Sequence, residues 1–493
     1  MGELPLFIRH GRGLRSFLAL LFFLLLVAGL VYLHGPISVS NFDFSMSNSG
    51  GITITQGSSG SNTITASLTS GSPLSVSLSC SGLTSGISGS FNPTSGNPTF
   101  YSTLTINTSS STPVGSYTIN VTGSVGGNAH TTQFTLNVNT LTVNPPSNVT
   151  AEFKHFVKYF ENPLSIPSYN GTDGVVHPDV LYFSNSMDGY KYWMVYTPLE
   201  PDTKEQPTIM RSNDGVTWTD AGISNPVLHA RNAVWDKSNL ADPDMLYVAD
   251  YNKWFMVYMG ADSGDFSRAN FKIALAYSAD GKTWAEYHGA SINGNANPVI
   301  LSGSDSGGAA WERNGTLSDL AYPTLLYKND TFYLYYGVAN PNNMGPIGLA
   351  TFNWDNSENS VTNFHRYASN PIINLPADSD YNIGCGHSDV FYYNGFYFMY
   401  VLRGKEPPQY YGGTDLVLLS SADGISWTNQ GMALPIDQSI SWEGFQIYRS
   451  CPVTDGIGNV ALFDGKVKLY YSASGNHHYG IGMATSTQVL SRP

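Results

Sequence analysis

Short apolar runs, most of them opened by an X-Pro dipeptide, recur through the last two thirds of this chain, and they constrain its fold more than any other feature. The first run is His177-Pro178-Asp179-Val180-Leu181-Tyr182, and the second is Asp242-Pro243-Asp244-Met245-Leu246-Tyr247. Tyr322-Pro323-Thr324-Leu325-Leu326-Tyr327 and His387-Ser388-Asp389-Val390-Phe391-Tyr392 follow, with a more degenerate fifth copy read from Cys451-Pro452. Proline suits the first residue of a strand, where no ladder donor is lost. An aromatic second strand follows each copy, as in Trp254-Phe255-Met256-Val257-Tyr258. Third strands end in the turns Ser212 to Trp218, Ser278 to Trp284 and Ser421 to Trp427. Outer strands are marked by Asn225-Pro226, Asn297-Pro298 and Asn370-Pro371.

Four strands in each of five repeats predict an all-β fold, a five-bladed β-propeller over residues 153–493. Asn162-Pro163-Leu164 carries the outer-strand mark ahead of the first inner strand. It is expected to complete the last blade and close the ring. Asp214, Asp280 and Asp423 precede glycine in hairpin turns and read as structural acceptors of backbone N–H groups.

Composition excludes several alternatives. Aromatic residues make up 13% and charged residues 12% of the chain. Disordered chains lack such aromatic content, and coiled coils are rich in charge. The net charge of −13 argues against a nucleic-acid partner. With only three cysteines, stability must come from packing. Cys385 and Cys451 sit near inner-strand starts, so either a disulfide between them or two buried thiols fits.

Two other segments precede the repeats. Arg9, Arg12 and Arg15 flank an uncharged apolar run from Phe17 to Leu33. Residues 1–35 therefore read as a cytoplasmic basic segment and a transmembrane signal anchor, with a cleaved signal peptide as the alternative. The rest of the chain would then be extracellular, on a single-pass cell-membrane protein. Residues 40–140 contain one charged side chain, Asp43, and alternate apolar with polar residues, as in Tyr117-Thr118-Ile119-Asn120-Val121. An Ig-like β-sandwich is expected there. It is read as a spacer, or else as a carbohydrate-adhesion module. Residues 141–152, with Pro145-Pro146, read as a linker.

Two resemblances attach to these patterns. Ser111 to Ile119 resembles the Pro-x-Gly-x-Tyr-x-Ile strand entry of prokaryotic Ig-like modules. The repeats of residues 155–490 resemble the five-bladed glycoside-hydrolase propellers that include arabinanases, β-xylosidases and fructan hydrolases. That resemblance implies a carbohydrate substrate and a carboxylate base before the proline of an early blade. It also implies a second carboxylate to orient substrate, and a Glu as acid. The second blade keeps Asp242 in the base position, whereas His177 occupies that Asp position in the first.

Glycoside hydrolysis needs one carboxyl to protonate the leaving oxygen and another to activate water or attack carbon. The catalytic candidates are Asp179 and Asp242 with Glu443 or Glu312 as acid; Trp442-Glu443-Gly444 resembles the Glu-Gly entry of the family's acid. Trp311-Glu312 and Trp235-Asp236 share the Trp-acid pattern, which also reads as a packing feature of the repeat. His177, Asp244, His387 and Asp389 are candidates for substrate binding, since residues two apart on a strand share a face. Gly384-Cys385-Gly386-His387 resembles the arabinanase-like element whose histidine holds a water or metal. A satisfied core histidine is the alternative. No cofactor is expected, with room left for a structural calcium near His387.

The function expected from sequence is that of an exported, membrane-anchored, monomeric glycoside hydrolase. A non-catalytic carbohydrate-binding propeller, a glycoside phosphorylase and a structural surface-layer protein are the alternatives.

Overall fold

A computed structural model describes residues 41–109, 112–139, 147–199, 204–231, 235–264, 269–339, 345–375, 381, 386–404, 413–475 and 478–487. The expected anchor, Gly384 and Cys385 lie outside these residues. No helix among the described residues is long and apolar enough to cross a membrane. The chain divides into two compact units between Leu141 and Thr142.

The first unit is two sheets around one core. Asp43–Asn48, Ser59–Ser70, Phe100–Thr108 and Ile87–Asn92 form one sheet in that order. Ile52–Thr55, Asn128–Asn139, Gly115–Val125, Val76–Ser81 and Ser95–Gly96 form the other, with the first pair parallel. The alternation read from sequence explains this pairing of sheets. Ile64, Leu104, Ile106, Ile119, Val121 and Leu136 turn inward and are buried, while the intervening Thr, Ser and Asn face out. Cys80 packs half-buried against this core as a free thiol.

The second unit begins with a short helix, Ser147–Glu152, where the sequence suggested irregular linker. A helix starting just after Pro145-Pro146 does not require the missing proline N–H groups. Five antiparallel sheets follow, one per repeat. Their first strands are Val175–Met187, Asn239–Val248, Leu320–Lys328, Gly386–Tyr393 and Gln446–Pro452. Each first strand touches the first strand of the next sheet, and the last touches the first, so the cycle is closed.

Five apolar clusters fill the gaps between neighbouring sheets. Trp193 meets Trp254 between the first two, at a ring separation of 4.7 Å. Phe255 meets Phe332 between the next two. Cys451, Tyr470 and Met483 of the last sheet pack with Val180, Met194 and Trp218 of the first. Each buried side chain of this size contributes about 1.5–3 kcal/mol of burial. The repeated aromatic second strands supply more of these side chains than the first or the third strands do.

The last sheet is completed by the start of the unit. Phe156–Lys158 pairs antiparallel with His478–Ser486. The Asn162 side chain then clasps the backbone of Met483, donating to its carbonyl and accepting from its N–H, each at 2.9 Å. Asn225 clasps Ile209 and Asn370 clasps Leu349 in the same way. Three of the Asn-Pro marks thus satisfy a third-strand backbone pair, whereas Asn297 donates to the Gly289 carbonyl at 2.8 Å. The Asp-Gly turns behave as expected: Asp214 accepts from the N–H groups of Val216 and Thr217 at 2.8 and 2.7 Å.

At the other end of the first strands, the segment from Thr454 to Gly458 straps four sheets together. Tyr182, Tyr247, Tyr327 and Tyr392 donate their backbone N–H groups to the carbonyls of Thr454, Gly456, Ile457 and Gly458, at 2.7, 2.7, 3.3 and 2.9 Å. A Cβ on Gly456 would meet the Tyr247 carbonyl oxygen at 2.2 Å, so only glycine permits this approach.

Candidate active site

The first four first strands lose register at the opening dipeptide of the repeat, X-Pro in three and His387-Ser388 in the fourth, between Val176 and Asp179, Ala241 and Asp244, Ala321 and Thr324, and Gly386 and Asp389. His177, Asp242, Tyr322 and His387 occupy these bulges with φ of 57°, 50°, 56° and 42°. Left-handed backbone at a non-glycine residue costs about 1–3 kcal/mol, and here it turns four side chains toward one another. The fifth break falls between Ile447 and Arg449. The fifth copy therefore starts at Tyr448-Arg449-Ser450, not at Cys451-Pro452. Arg449 stands where the other copies have proline or serine, which removed the signal that marked the others. Cys451 is a buried free thiol in the position of Val180.

The bulged residues form one layer of the axis. Asp242 Oδ1 lies 3.1 Å from His177 Nε2 and 3.2 Å from His387 Nδ1. The histidine rings stack 5.2 Å apart, and Tyr322 and Tyr448 wall His387 at 4.1 and 4.3 Å. A second layer lies two residues further along, where Asp179, Asp244 and Asp389 bring carboxylate oxygens within 4.8 Å of one another. Asp179 accepts from the Met245 N–H at 2.8 Å, and Asp244 from the Leu325 N–H at 2.9 Å. Thr324 repeats this link, accepting from the Val390 N–H at 3.2 Å. The second-layer side chains thereby staple each first strand to the next. Arg449, fully buried, reaches Asp244 at 3.4 Å and Asp242 at 3.9 Å.

Electrostatics separate the layers. Burial, reinforced by the neighbouring carboxylates, pushes Asp179 and Asp389 well above the usual carboxylate range. Burial also raises Asp244, against the pull of Arg449. Three acids beside one guanidinium hold shared protons at neutral pH. Burial would raise Asp242 too, but the histidines and Arg449 outweigh it and hold its carboxyl well below the usual range. Burial pushes His387 down to about 4, so this ring is neutral at pH 7.

The first layer has a donor set suited to a metal. His177 Nδ1 donates to Thr197 Oγ1 at 2.9 Å, and the Thr197 hydroxyl donates to Glu205 at 3.0 Å. Nδ1 is thereby the donor to Thr197, and Nε2 is the ring nitrogen that faces the Asp242 carboxylate. His177 Nε2, Asp242 Oδ1 and His387 Nδ1 are all buried without a well-directed hydrogen bond, and they converge within 4.8 Å. Three such ligand atoms converging in a dry site can hold a cation. Two imidazoles and one carboxylate suit a first-row divalent metal better than calcium, which prefers oxygen. The Thr197–Glu205 relay behind His177 is the outer-shell arrangement that orients metal-binding histidines.

Of the residues chosen from sequence, the structure brings together His177, Asp179, Asp242, Asp244, His387 and Asp389. It does not bring Glu312 or Glu443 to them. Glu443 is buried against Lys158 and accepts from the Tyr471 hydroxyl at 2.8 Å, fastening the ring-closing segment. Glu312 accepts from Tyr336 and from Arg366, both at 2.6 Å. The associated tryptophans pack on second-strand tyrosines: Trp235 on Tyr258, Trp311 on Tyr336 and Trp442 on Tyr471. The Trp-acid pair is thus a packing feature of the repeat. Sequence reasoning missed Arg449 and Tyr448. It also missed Thr197 and Glu205, which carry no repeat signal.

The chain matches no known protein-family model. It is similar to the A type blood N-acetyl-α-D-galactosamine deacetylase of Flavonifractor plautii, with 28% identity over 349 residues. That alignment covers 65% of this chain and 42% of the relative, so the chain spans less than half the length of the curated protein it matches. A solved glycoside hydrolase superposes with a TM-score of 0.52 at 18% identity, covering 71% of this chain and 97% of its own. A solved RGII complex superposes at 0.51 and 19% identity, over 70% and 95%. The second unit has the propeller-type fold of these carbohydrate-linked structures.

Proposed function

We propose that the five sheets are the blades of a five-bladed propeller and that the chain is a metal-dependent hydrolase of carbohydrate acyl groups. Its favoured reaction is removal of acetate from an N-acetylated amino sugar. The carrying observation is the convergence of His177 Nε2, Asp242 Oδ1 and His387 Nδ1, buried and without directed partners. The deacetylase similarity supports the choice of bond.

His177, Asp242 and His387 would hold the metal, which supplies a polarised amide carbonyl and an activated water. Glu205 and Thr197 fix the His177 tautomer. Tyr448 stays a neutral phenol, because burial raises its pKa well above 10. Its hydroxyl can donate to charge developing on the carbonyl oxygen. The second-layer carboxylates hold the first strands in register beneath this site.

Glycoside hydrolysis is the second reading. The observation favouring it is the pair of buried carboxyls Asp179 and Asp389, raised by burial enough to stay protonated at neutral pH, beside Asp244. It ranks lower because Asp179 and Asp244 are tied to backbone N–H groups, while Glu312 and Glu443 are engaged elsewhere. We read residues 1–35 as the signal anchor and the first unit as an Ig-like spacer holding a monomeric catalytic unit outside the cell.

The test is an assay of acetate and of reducing sugar from N-acetylgalactosamine-terminated glycans, with and without chelator. Acetate release that chelator abolishes supports deacylation. Reducing-sugar release that survives chelation selects the glycosidase reading.

A further inference from the structure

A cavity lies between the last and first sheets, beside the axial cluster. It has a volume of roughly 380 Å³ and is lined by Ser165, Asp173, Trp442, His478 and Tyr479, among others. This falls within the range of small-ligand sites, about 300–1,000 Å³. Asp173, Ser165 and His478 are exposed, whereas Trp442 and Tyr479 are half-buried. The lining therefore offers aromatic rings below and hydroxyl, carboxylate and imidazole groups at the rim.

Tyr479 connects this cavity to the axis. Its hydroxyl accepts from Gln446 Nε2 at 2.9 Å, which fixes the ring. That ring lies 5.3 Å from Tyr448, which in turn lies 5.1 Å from His177. The Tyr448 side chain thus stands between this cavity and the axial cluster.

We propose that this cavity is a subsite for the neutral sugar next to the residue that reacts at the axis. The inference rests on the carbohydrate reading above. A pyranose presents an apolar face that suits Trp442 and Tyr479, and hydroxyls that suit Asp173 and Ser165. The Asp173 carboxylate disfavours an anionic sugar there. The protein therefore selects oligosaccharide ends over free amino sugar.

The test uses the metal-loaded full chain with two probes, free N-acetylgalactosamine and an N-acetylgalactosamine-terminated neutral trisaccharide. Ser165→Trp fills the cavity, and Asp173→Ala removes its carboxylate. Both substitutions are expected to raise KM for the trisaccharide about tenfold while leaving kcat and the KM of the monosaccharide in place. Equal changes for both probes, or none, would overturn the subsite. Trisaccharide binding is also measured at equilibrium, on the wild type and on Ser165→Trp. This arm judges the subsite even if no acetate is released: binding weakened by Ser165→Trp supports it, and binding that is absent or unaffected overturns it.

Discussion

His387 Nδ1 stands 3.2 Å from Asp242 Oδ1, yet neither atom has a well-directed hydrogen bond. His177 Nε2 meets the same oxygen from another strand at 3.1 Å. One carboxylate oxygen is thus shared by two imidazoles that both approach it off-axis, the arrangement expected of ligands rather than of a hydrogen-bonded triad.

Asp242→Asn and His387→Ala should each lower affinity for a first-row divalent metal by more than about 100-fold. Metal content after dialysis, measured by mass spectrometry, checks this. Wild-type protein should also show a Tm that rises with added metal and falls with chelator, because only the folded state holds the converged ligands. An unchanged Tm and no retained metal would remove the metal site.

Glu205→Gln should weaken metal affinity by about 10–100-fold while leaving the fold intact. Thr197→Val should act in the same direction, because it breaks the relay from His177 Nδ1. Titration with a chromophoric chelator gives the affinities, and circular dichroism reports the fold.

Glu443→Ala should destabilise the second unit by about 3 kcal/mol, leaving Lys158 and the Tyr471 hydroxyl without their partner. Metal affinity should be unaffected, which separates a ring fastener from a catalytic acid. Denaturant unfolding gives the first quantity. Loss of acetate release by the fully folded variant would instead return Glu443 to the chemistry.

Acid should weaken the hairpin turns. Burial would raise the Asp214 carboxyl, but the Thr217 and Val216 N–H groups outweigh it and bring it down to about 2. Its folded pKa lies below the unfolded value near 3.8, so its contribution is present above that value and lost as pH falls toward 2. Asp214 is largely exposed, so the effect should stay under about 1 kcal/mol. Asp214→Asn should flatten this part of the acid limb in pH-dependent unfolding.

The repeated sheets were legible because three first strands keep an X-Pro opening, the fourth keeps the rest of that pattern, and each second strand keeps its aromatic run. Those two signals carry the bulges and the inter-sheet packing. His177, Asp242 and His387 were legible for the same reason, since a polar residue repeated at a strand start must point somewhere useful. Tyr448-Arg449 was hidden because the guanidinium that reaches the carboxylates replaces the marker proline. Glu205 was hidden because its role depends on folding beside Thr197, not on spacing. Glu312 and Glu443 misled because a buried structural acid and a catalytic acid look alike in sequence.

The strap from Thr454 to Gly458 has a consequence for traffic through the molecule. It ties four first strands together at the end away from the histidines. Under the function proposed above, a glycan would have to meet the axial cluster from the histidine side, presenting its tip rather than threading past the strap.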